Sequence, residues 1–176
     1  MARDITSTEL AVFERLIDVG RRWERRSDKL LRERQELTFV QYQILITLRN
    51  RGGELRMREL AESLVVGPSA LTYQLKQLEA RHLAVRATAP DDERGVVAQL
   101  TVEGLNLIAD LFRPQNDLIH DAVVSPLEPG EVETLHYLLG KLQISMRGVA
   151  TGGLLPGAVP FPSRLADAER IVAPSG

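Results

Sequence analysis

With 176 residues, the chain is long enough for one ordinary domain and too short for two large ones. Its composition, 44% hydrophobic and 26% charged, excludes a disordered or fibrous protein. The absence of cysteine excludes disulfides, thiolate nucleophiles and thiol-based redox sensing. The sequence shows neither a signal peptide nor a stretch of roughly 18–20 apolar residues, so we expect a cytoplasmic protein with no membrane partner.

The net charge of −2 conceals an uneven distribution of charged residues along the chain. Residues 21–58 contain 11 basic and 5 acidic residues, and the flanking segments are acidic. Two interpretations remain open at this point. The basic stretch is either a surface for nucleic acid or a solvated helix face with internal ion pairs.

Hydrophobic periodicity and capping residues predict a mainly helical chain with one β-hairpin. A charged run at 21–36 blurs the first helix, and Pro114 is expected to kink the fifth. The elements predicted in chain order are a helix from Thr6 or Ser7, a second helix from about Thr38, an extended piece at 54–56, a third helix at 57–64, a fourth helix from Gly67 and Pro68, strands at 83–86 and 96–100, a fifth helix capped by Thr101 and a sixth helix at about 129–146.

Residues 57–81 have the pattern of a helix-turn-helix. Leucines of the third and fourth helices can share one core, so the fourth helix presents its opposite face to solvent. An α-helix fits the major groove of B-DNA, hydroxyl side chains approach bases and phosphates closely, and a lysine neutralises a phosphate. The candidate DNA-binding residues on this helix are Ser69, Thr72, Tyr73 and Lys76.

The predicted hairpin follows directly and has a charged tip. Arg94 at this tip can enter a narrow minor groove, where the negative potential is enhanced. Asp92 can pair with an arginine and so hold the loop in place. An exposed charged turn without function is the alternative, and the neighbouring helix-turn-helix makes it the less favoured one.

Four short motifs follow one another in the segment 37–112. They are Leu60-Ala61, Leu71-Thr72, Leu78-Glu79-Ala80, and Asp92-x-Arg94 followed by Leu100-Thr101. In their order and spacing, the segment resembles the MarR family of multiple-antibiotic-resistance regulators. The resemblance implies a mainly α fold with a small β-hairpin wing, in which a winged helix-turn-helix lies between N- and C-terminal dimerisation helices. It also implies a homodimer that binds double-stranded DNA, often as a repressor, and that releases DNA when a small aromatic or phenolic effector binds.

The same resemblance implies an effector pocket between the dimerisation helices and the winged domain. Helical phase and aromatic character suggest Phe13, Trp23 and Tyr42 as its walls. Four segments are therefore expected. They are an N-terminal helix with a basic connector at 1–36, the winged helix-turn-helix at 37–101, C-terminal dimerisation helices at 102–147, and a tail at 148–176.

The sequence departs from the family pattern at four positions. His82 and Ala84 replace a glycine and a branched apolar residue, so a less tight turn is expected after the fourth helix. Glu93 and Tyr73 replace residues that are commonly basic. We therefore expect Glu93 to weaken the contact of the wing with DNA, and Tyr73 to change how α4 reads the bases.

The sequence leaves open three alternatives to a DNA-binding regulator that responds to an aromatic effector. An enzyme is disfavoured because no phosphate loop, nucleophile elbow or paired carboxylates occur, so no catalytic residue and no cofactor are expected. A metal-responsive regulator could use His120 and His136 with Asp117 or Asp121, although histidines so spaced are more often surface residues, and no metal site is expected. The third alternative is a winged helix that binds proteins without reading DNA sequence.

The last 29 residues, 148–176, differ from the rest in containing five glycines and four prolines. Residues 148–162 are expected to form an irregular linker. Residues 163–172 could form a short capped helix that docks on the dimerisation region, and an untethered terminus is equally compatible with the sequence.

Overall fold

The computed structural model describes residues 4–89 and 92–146, with residues 93 and 94 described by their backbone. The tail predicted at 148–176 lies outside these residues. The elements in chain order are α1 (Ser7–Gln35), α2 (Phe39–Asn50), β1 (Glu54–Arg56), α3 (Met57–Leu64), α4 (Pro68–Ala80), β2 (Ala84–Ala89), β3 (Asp92–Leu100), α5 (Val102–Ile119) and α6 (Glu131–Met146).

The first helix is longer than the sequence pattern predicts. α1 runs unbroken to Gln35, so the expected basic connector is instead helical. Thr6 begins it with a capping box to Glu9, and the chain leaves it at Glu36, which has φ 52°. Ion pairs four residues apart support the charged half, a spacing that brings side chains together on one helix face. These pairs are Asp18–Arg22, Asp28–Arg32 and Lys29–Glu33.

The helix-turn-helix has the boundaries that its capping residues predict. Thr38 caps α2 through a capping box with Gln41, and Pro68 occupies the first turn of α4, where its missing N–H leaves no bond unmade. Val65 ends α3 with φ 55° and is 92% exposed. This left-handed conformation is costly for a β-branched residue, so the turn that leads into α4 is strained.

The wing is part of a three-stranded antiparallel sheet with the order β1-β3-β2. Both hairpin strands extend beyond the lengths predicted from the sequence, to Ala84–Ala89 and Asp92–Leu100. β1 pairs Leu55 with Ala98 of β3, and this pairing joins the wing to the start of α3. The register of β2 against β3 shifts between Thr88 and Ala89, near the tip.

One core holds the winged domain and the adjoining parts of α1 and α5 together. It is built almost entirely from aliphatic side chains, as the low aromatic content predicts. Tyr42 is part of this core, and its burial raises the pKa of the phenol to about 12. The fully buried side chains include Leu31, Leu45, Leu48, Leu60, Leu71, Leu75, Leu78, Ile108 and Leu111.

The first half of α5 belongs to this core, which among the described residues ends at Leu111. α5 continues through Pro114 to Ile119 and is followed by one π-helical turn at His120–Val124. No side chain of α6 is buried. Among the described residues, no helix combines the length and the apolar composition needed to cross a bilayer.

Candidate nucleic-acid interface

The fourth helix has a buried face and an exposed face, as the sequence predicts. Its three leucines are at most 1% exposed, which fixes the helix against the core. Tyr73 is 62% exposed. Ser69, Thr72, Tyr73 and Lys76 all lie on the exposed face. The structure therefore brings the four helix residues predicted for DNA contact onto one solvent-facing surface.

The start of α4 leaves backbone donors available. Gly67, the residue before the helix, provides no side-chain cap, so the N–H groups of the first turn have no capping partner. The Thr72 hydroxyl donates a hydrogen bond to the carbonyl oxygen of Pro68 at 2.9 Å. Thr72 consequently presents a methyl group and a hydroxyl oxygen that can still accept a hydrogen bond.

A bidentate ion pair ties the end of α4 to the wing. Both carboxylate oxygens of Glu79 accept from the Arg86 guanidinium, at 2.9 and 2.7 Å, and the backbone N–H of Arg86 adds a bond of 3.0 Å. The hydrogen bonds from Arg86 hold the pKa of Glu79 below its ordinary value. The pair therefore contributes stability at neutral pH, and this contribution is lost as the pH falls through the lowered pKa.

The end of the wing next to its tip is organised around Asp92 and Gly95. Asp92 Oδ2 lies 3.4 Å from Arg56 Nη1, which links the wing to the last residue of β1. A Cβ atom on Gly95 would lie 2.8 Å from Arg56 Nη1 and 2.9 Å from the Ala89 Cβ. Only glycine therefore leaves room for this packing. The side chain of Arg94, the predicted minor-groove residue, lies outside the described residues.

The structure places the three predicted effector-pocket residues in different surroundings. Phe13 and Trp23 are ten residues apart on one helix, which corresponds to about 15 Å. Phe13 is 60% exposed, Trp23 is half-buried, and Tyr42 belongs to the core.

Sequence reasoning missed an open groove of about 1470 Å³ beside the start of α4. Arg51, Arg58 and Thr72 line it, with Val65 at the turn. Arg58 also pairs with Glu62 along α3. The signal in the sequence was the basic stretch 21–58, whose last residues reach this groove.

The histidines weighed for a metal site do not assemble one. Within the part of the chain that the structure describes, no group of three or more histidine, aspartate or glutamate side chains could hold a metal ion. His120 instead lies beside Asp121, with 3.6 Å between Nδ1 and Oδ1. The metal-responsive alternative therefore lacks a ligand set at these residues.

Comparison with known proteins adds independent evidence. Residues 35–95 match the model of the MarR family. The multiple antibiotic resistance protein MarR of Salmonella typhimurium is 32% identical over 138 residues, which cover 74% of this chain and 94% of that protein.

Two solved structures that contain DNA resemble the chain. Sco3205 of Streptomyces coelicolor, a MarR family transcriptional regulator in complex with DNA, has a TM-score of 0.75 at 26% identity, covering 86% of this chain and 94% of that one. A mutant MarR of E. coli complexed with operator DNA has a TM-score of 0.68 at 28% identity, covering 79% and 99%. The chain belongs to the MarR family and is a DNA-binding transcription regulator with a winged helix-turn-helix fold, not an enzyme.

Proposed function

We propose that the protein is a ligand-responsive repressor that binds a pseudo-palindromic operator as a homodimer. The observation that carries the proposal is the division of α4 into a buried leucine face and an exposed polar face. Within this proposal, residues 37–101 bind DNA, while residues 1–36 and 102–147 provide the dimer contacts.

The exposed face of α4 supplies complementary chemistry for the major groove. Lys76 neutralises a phosphate, and the uncapped N–H groups at the start of the helix attract another. Ser69, Tyr73 and the methyl group of Thr72 are available to base edges, where a thymine methyl favours apolar contact. Tyr73 carries no charge, so it contributes contact area and a hydroxyl in place of a basic side chain.

The wing adds a second contact in this proposal. Arg94 enters the neighbouring minor groove, and the pair between Asp92 and Arg56 supports the loop that carries it. The sheet that forms the wing also contains β1, which leads into α3 and then α4. The wing and α4 would therefore contact adjacent grooves at the same time.

Exposed apolar side chains on α1 and α6 support the homodimer. Leu10 and Phe13 are 50% and 60% exposed, and Leu135, Leu139 and Leu142 of α6 are 37–41% exposed. Aliphatic surface of this extent is unfavourable in water and marks interaction sites. A twofold dimer would cover it and would present two recognition helices to two half-sites. A dimer seated on both half-sites would repress by excluding RNA polymerase.

The interface is tested by Lys76→Gln and Arg94→Ala in a DNA-binding assay on an operator obtained by selection. Lys76→Gln should weaken binding uniformly across sequences and reduce the salt slope by about 1, since one phosphate contact is lost. Arg94→Ala should weaken operator binding by about 1–3 kcal/mol without loss of helicity.

Lys29→Gln is the matched control because it removes the same charge from an exposed position on α1. If wild-type protein shows no sequence preference and only a shallow salt slope, the protein-interaction alternative is favoured. If Lys29→Gln matches Lys76→Gln, the effect reflects net charge and α4 is not the contact surface.

The effector is proposed to be a small aromatic or phenolic compound bound near Phe13, Trp23 and Tyr42. A second subunit would have to complete such a site around the exposed Phe13. Trp23 is the only tryptophan, so its fluorescence reports on this region. We expect a phenolic effector to change Trp23 emission and to weaken operator binding at the same concentrations. A panel of such compounds that changes neither signal would contradict the proposal.

A further inference from the structure

The C-terminal ends of α1 and α4 meet, and one arginine joins them. Arg81, which follows the last residue of α4, donates from Nη2 to the carbonyl oxygen of Gln35 at 2.8 Å and from Nη1 to that of Glu36 at 3.2 Å. These carbonyl groups belong to the last residue of α1 and the residue after it. The side chain thus bridges positions more than forty residues apart in sequence.

Both helix ends otherwise complete their own backbone hydrogen bonds. At the end of α1, the N–H of Leu37 bonds to the carbonyl of Leu31, and at the end of α4, the N–H of Leu83 bonds to the carbonyl of Leu78. The end of α4 is a Schellman turn with the left-handed residue His82, and the end of α1 is a simpler left-handed cap, in which the N–H of Glu36 bonds to the carbonyl of Arg32. These turns leave the carbonyl groups of Gln35 and Glu36 for a partner outside the helix.

Electrostatics favours a cation at this junction. Each helix C-terminus carries the equivalent of about half a negative charge, so two neighbouring C-termini repel each other. The guanidinium of Arg81 lies at the end of α4 and bonds to the end of α1, where it offsets both partial charges. A lysine could supply the charge, but it lacks the planar fork that engages two carbonyl oxygens at once.

From this geometry we infer that Arg81 is a specificity-determining residue. It determines which spacing between the two half-sites of an operator the dimer binds best. The inference rests on the proposed homodimer, in which α1 contributes to the subunit contact and α4 reads DNA. The position of α4 relative to α1 then determines the distance between the two recognition helices. Glu79 holds the same end of α4 to the wing, so Arg81 positions the wing and α4 together relative to α1.

The test compares operators whose half-sites are separated by the selected spacing or by one base pair more or less. We expect wild-type protein to lose about tenfold in affinity when the spacing changes, and Arg81→Gln to lose only about threefold, in the range of ordinary coupling between sites. Binding of both proteins to a single half-site should be equal, because Arg81→Gln leaves the exposed face of α4 intact.

Arg22→Gln is the matched control, since it removes an exposed arginine whose ion pair within the described chain is with Asp18 of the same helix. Arg81→Lys retains the charge and serves as the second variant if Arg81→Gln does not fold. It should fall between wild type and Arg81→Gln in its tolerance of altered spacing. A purely structural role would lower the unfolding temperature and weaken all operators equally.

An equal spacing penalty in wild type, Arg81→Gln and Arg81→Lys would overturn the inference, as would a weakened single half-site complex of Arg81→Gln. A wild-type protein that binds all three operators as a monomer would instead refute the homodimer itself. The two failures are therefore distinguishable.

Discussion

Leu139→Asp in α6 is expected to convert the proposed homodimer to a monomer and to lower affinity for a two-half-site operator by about 100-fold or more, because one half-site and its contacts are lost. Leu139 is 39% exposed in the single chain, on the same face as Leu135 and Leu142. A carboxylate there would have to be buried without a partner in the assembled dimer, which is strongly unfavourable. Sedimentation velocity at micromolar concentration and titration of operator DNA measure the two effects.

Tyr137→Asp is the control for this experiment. It adds the same charge to α6, but Tyr137 lies about 160° around the helix from Leu139 at 100° per residue. Tyr137 is 63% exposed, and its ring contacts the Lys141 ammonium at 5.4 Å. We expect this variant to remain dimeric. A Leu139→Asp protein that stays dimeric and binds operator normally would show that the leucine face of α6 is not the subunit contact.

Gly104→Ala is expected to destabilise the fold by about 3 kcal/mol, which corresponds to roughly 6–12 °C in melting temperature. Gly104 lies in the first turn of α5, where its N–H bonds to the Thr101 hydroxyl. A Cβ at this position would lie 2.1 Å from the carbonyl oxygen of Leu83 and 2.8 Å from Leu100 Cδ1. The Leu83 atom belongs to the backbone and also accepts from the N–H of Thr101, so it cannot move aside alone.

Gly140→Ala is the matched substitution with the opposite expected sign. Gly140 lies within α6, and a Cβ there would have no atom within 4 Å among the described residues. Alanine in a helix interior is favoured over glycine by about 0.5–1 kcal/mol. Thermal unfolding of both variants at one protein concentration tests the pair. If both variants lose the same stability, the close approach between residue 104 and the carbonyl oxygen of Leu83 does not explain the effect of Gly104→Ala.

Much of the winged domain could be predicted because its signals are local. Thr38, Gly67 with Pro68, and Thr101 each mark a helix start through capping chemistry that depends on neighbouring residues only. The leucine periodicity of α4 also assigns its exposed face, so the amino-acid sequence is sufficient to select the outward-facing residues Ser69, Thr72, Tyr73 and Lys76. Their roles in base and phosphate contact remain predictions.

Other features could not be predicted because they depend on distant contacts. The charged half of α1 has few apolar residues, and its helix is recognisable only when Ser27 and Leu31 are seen to be buried. Tyr42 has the aromatic character expected of a pocket wall, whereas its side chain packs into the core. Nothing local to Arg81 indicates that it bonds to the end of α1, since its partners lie 45 and 46 residues earlier.

The central strand β3 couples the position of the wing to the orientation of α3. β3 is paired along one edge with β2 and, at its inner end, with β1, whose last residue, Arg56, immediately precedes α3. Near the tip, the register shifts at Thr88 and Ala89 and the pair between Asp92 and Arg56 supports the hairpin, while the inner end of β3 is hydrogen-bonded to a strand on both sides. A tip fixed in one groove would therefore restrict the rotation of α3, and with it the angle at which α4 enters the next groove. Under the proposed contact of the wing with DNA, we expect sequence changes at its tip to alter which operators are bound without any change in the residues of α4 that face the bases.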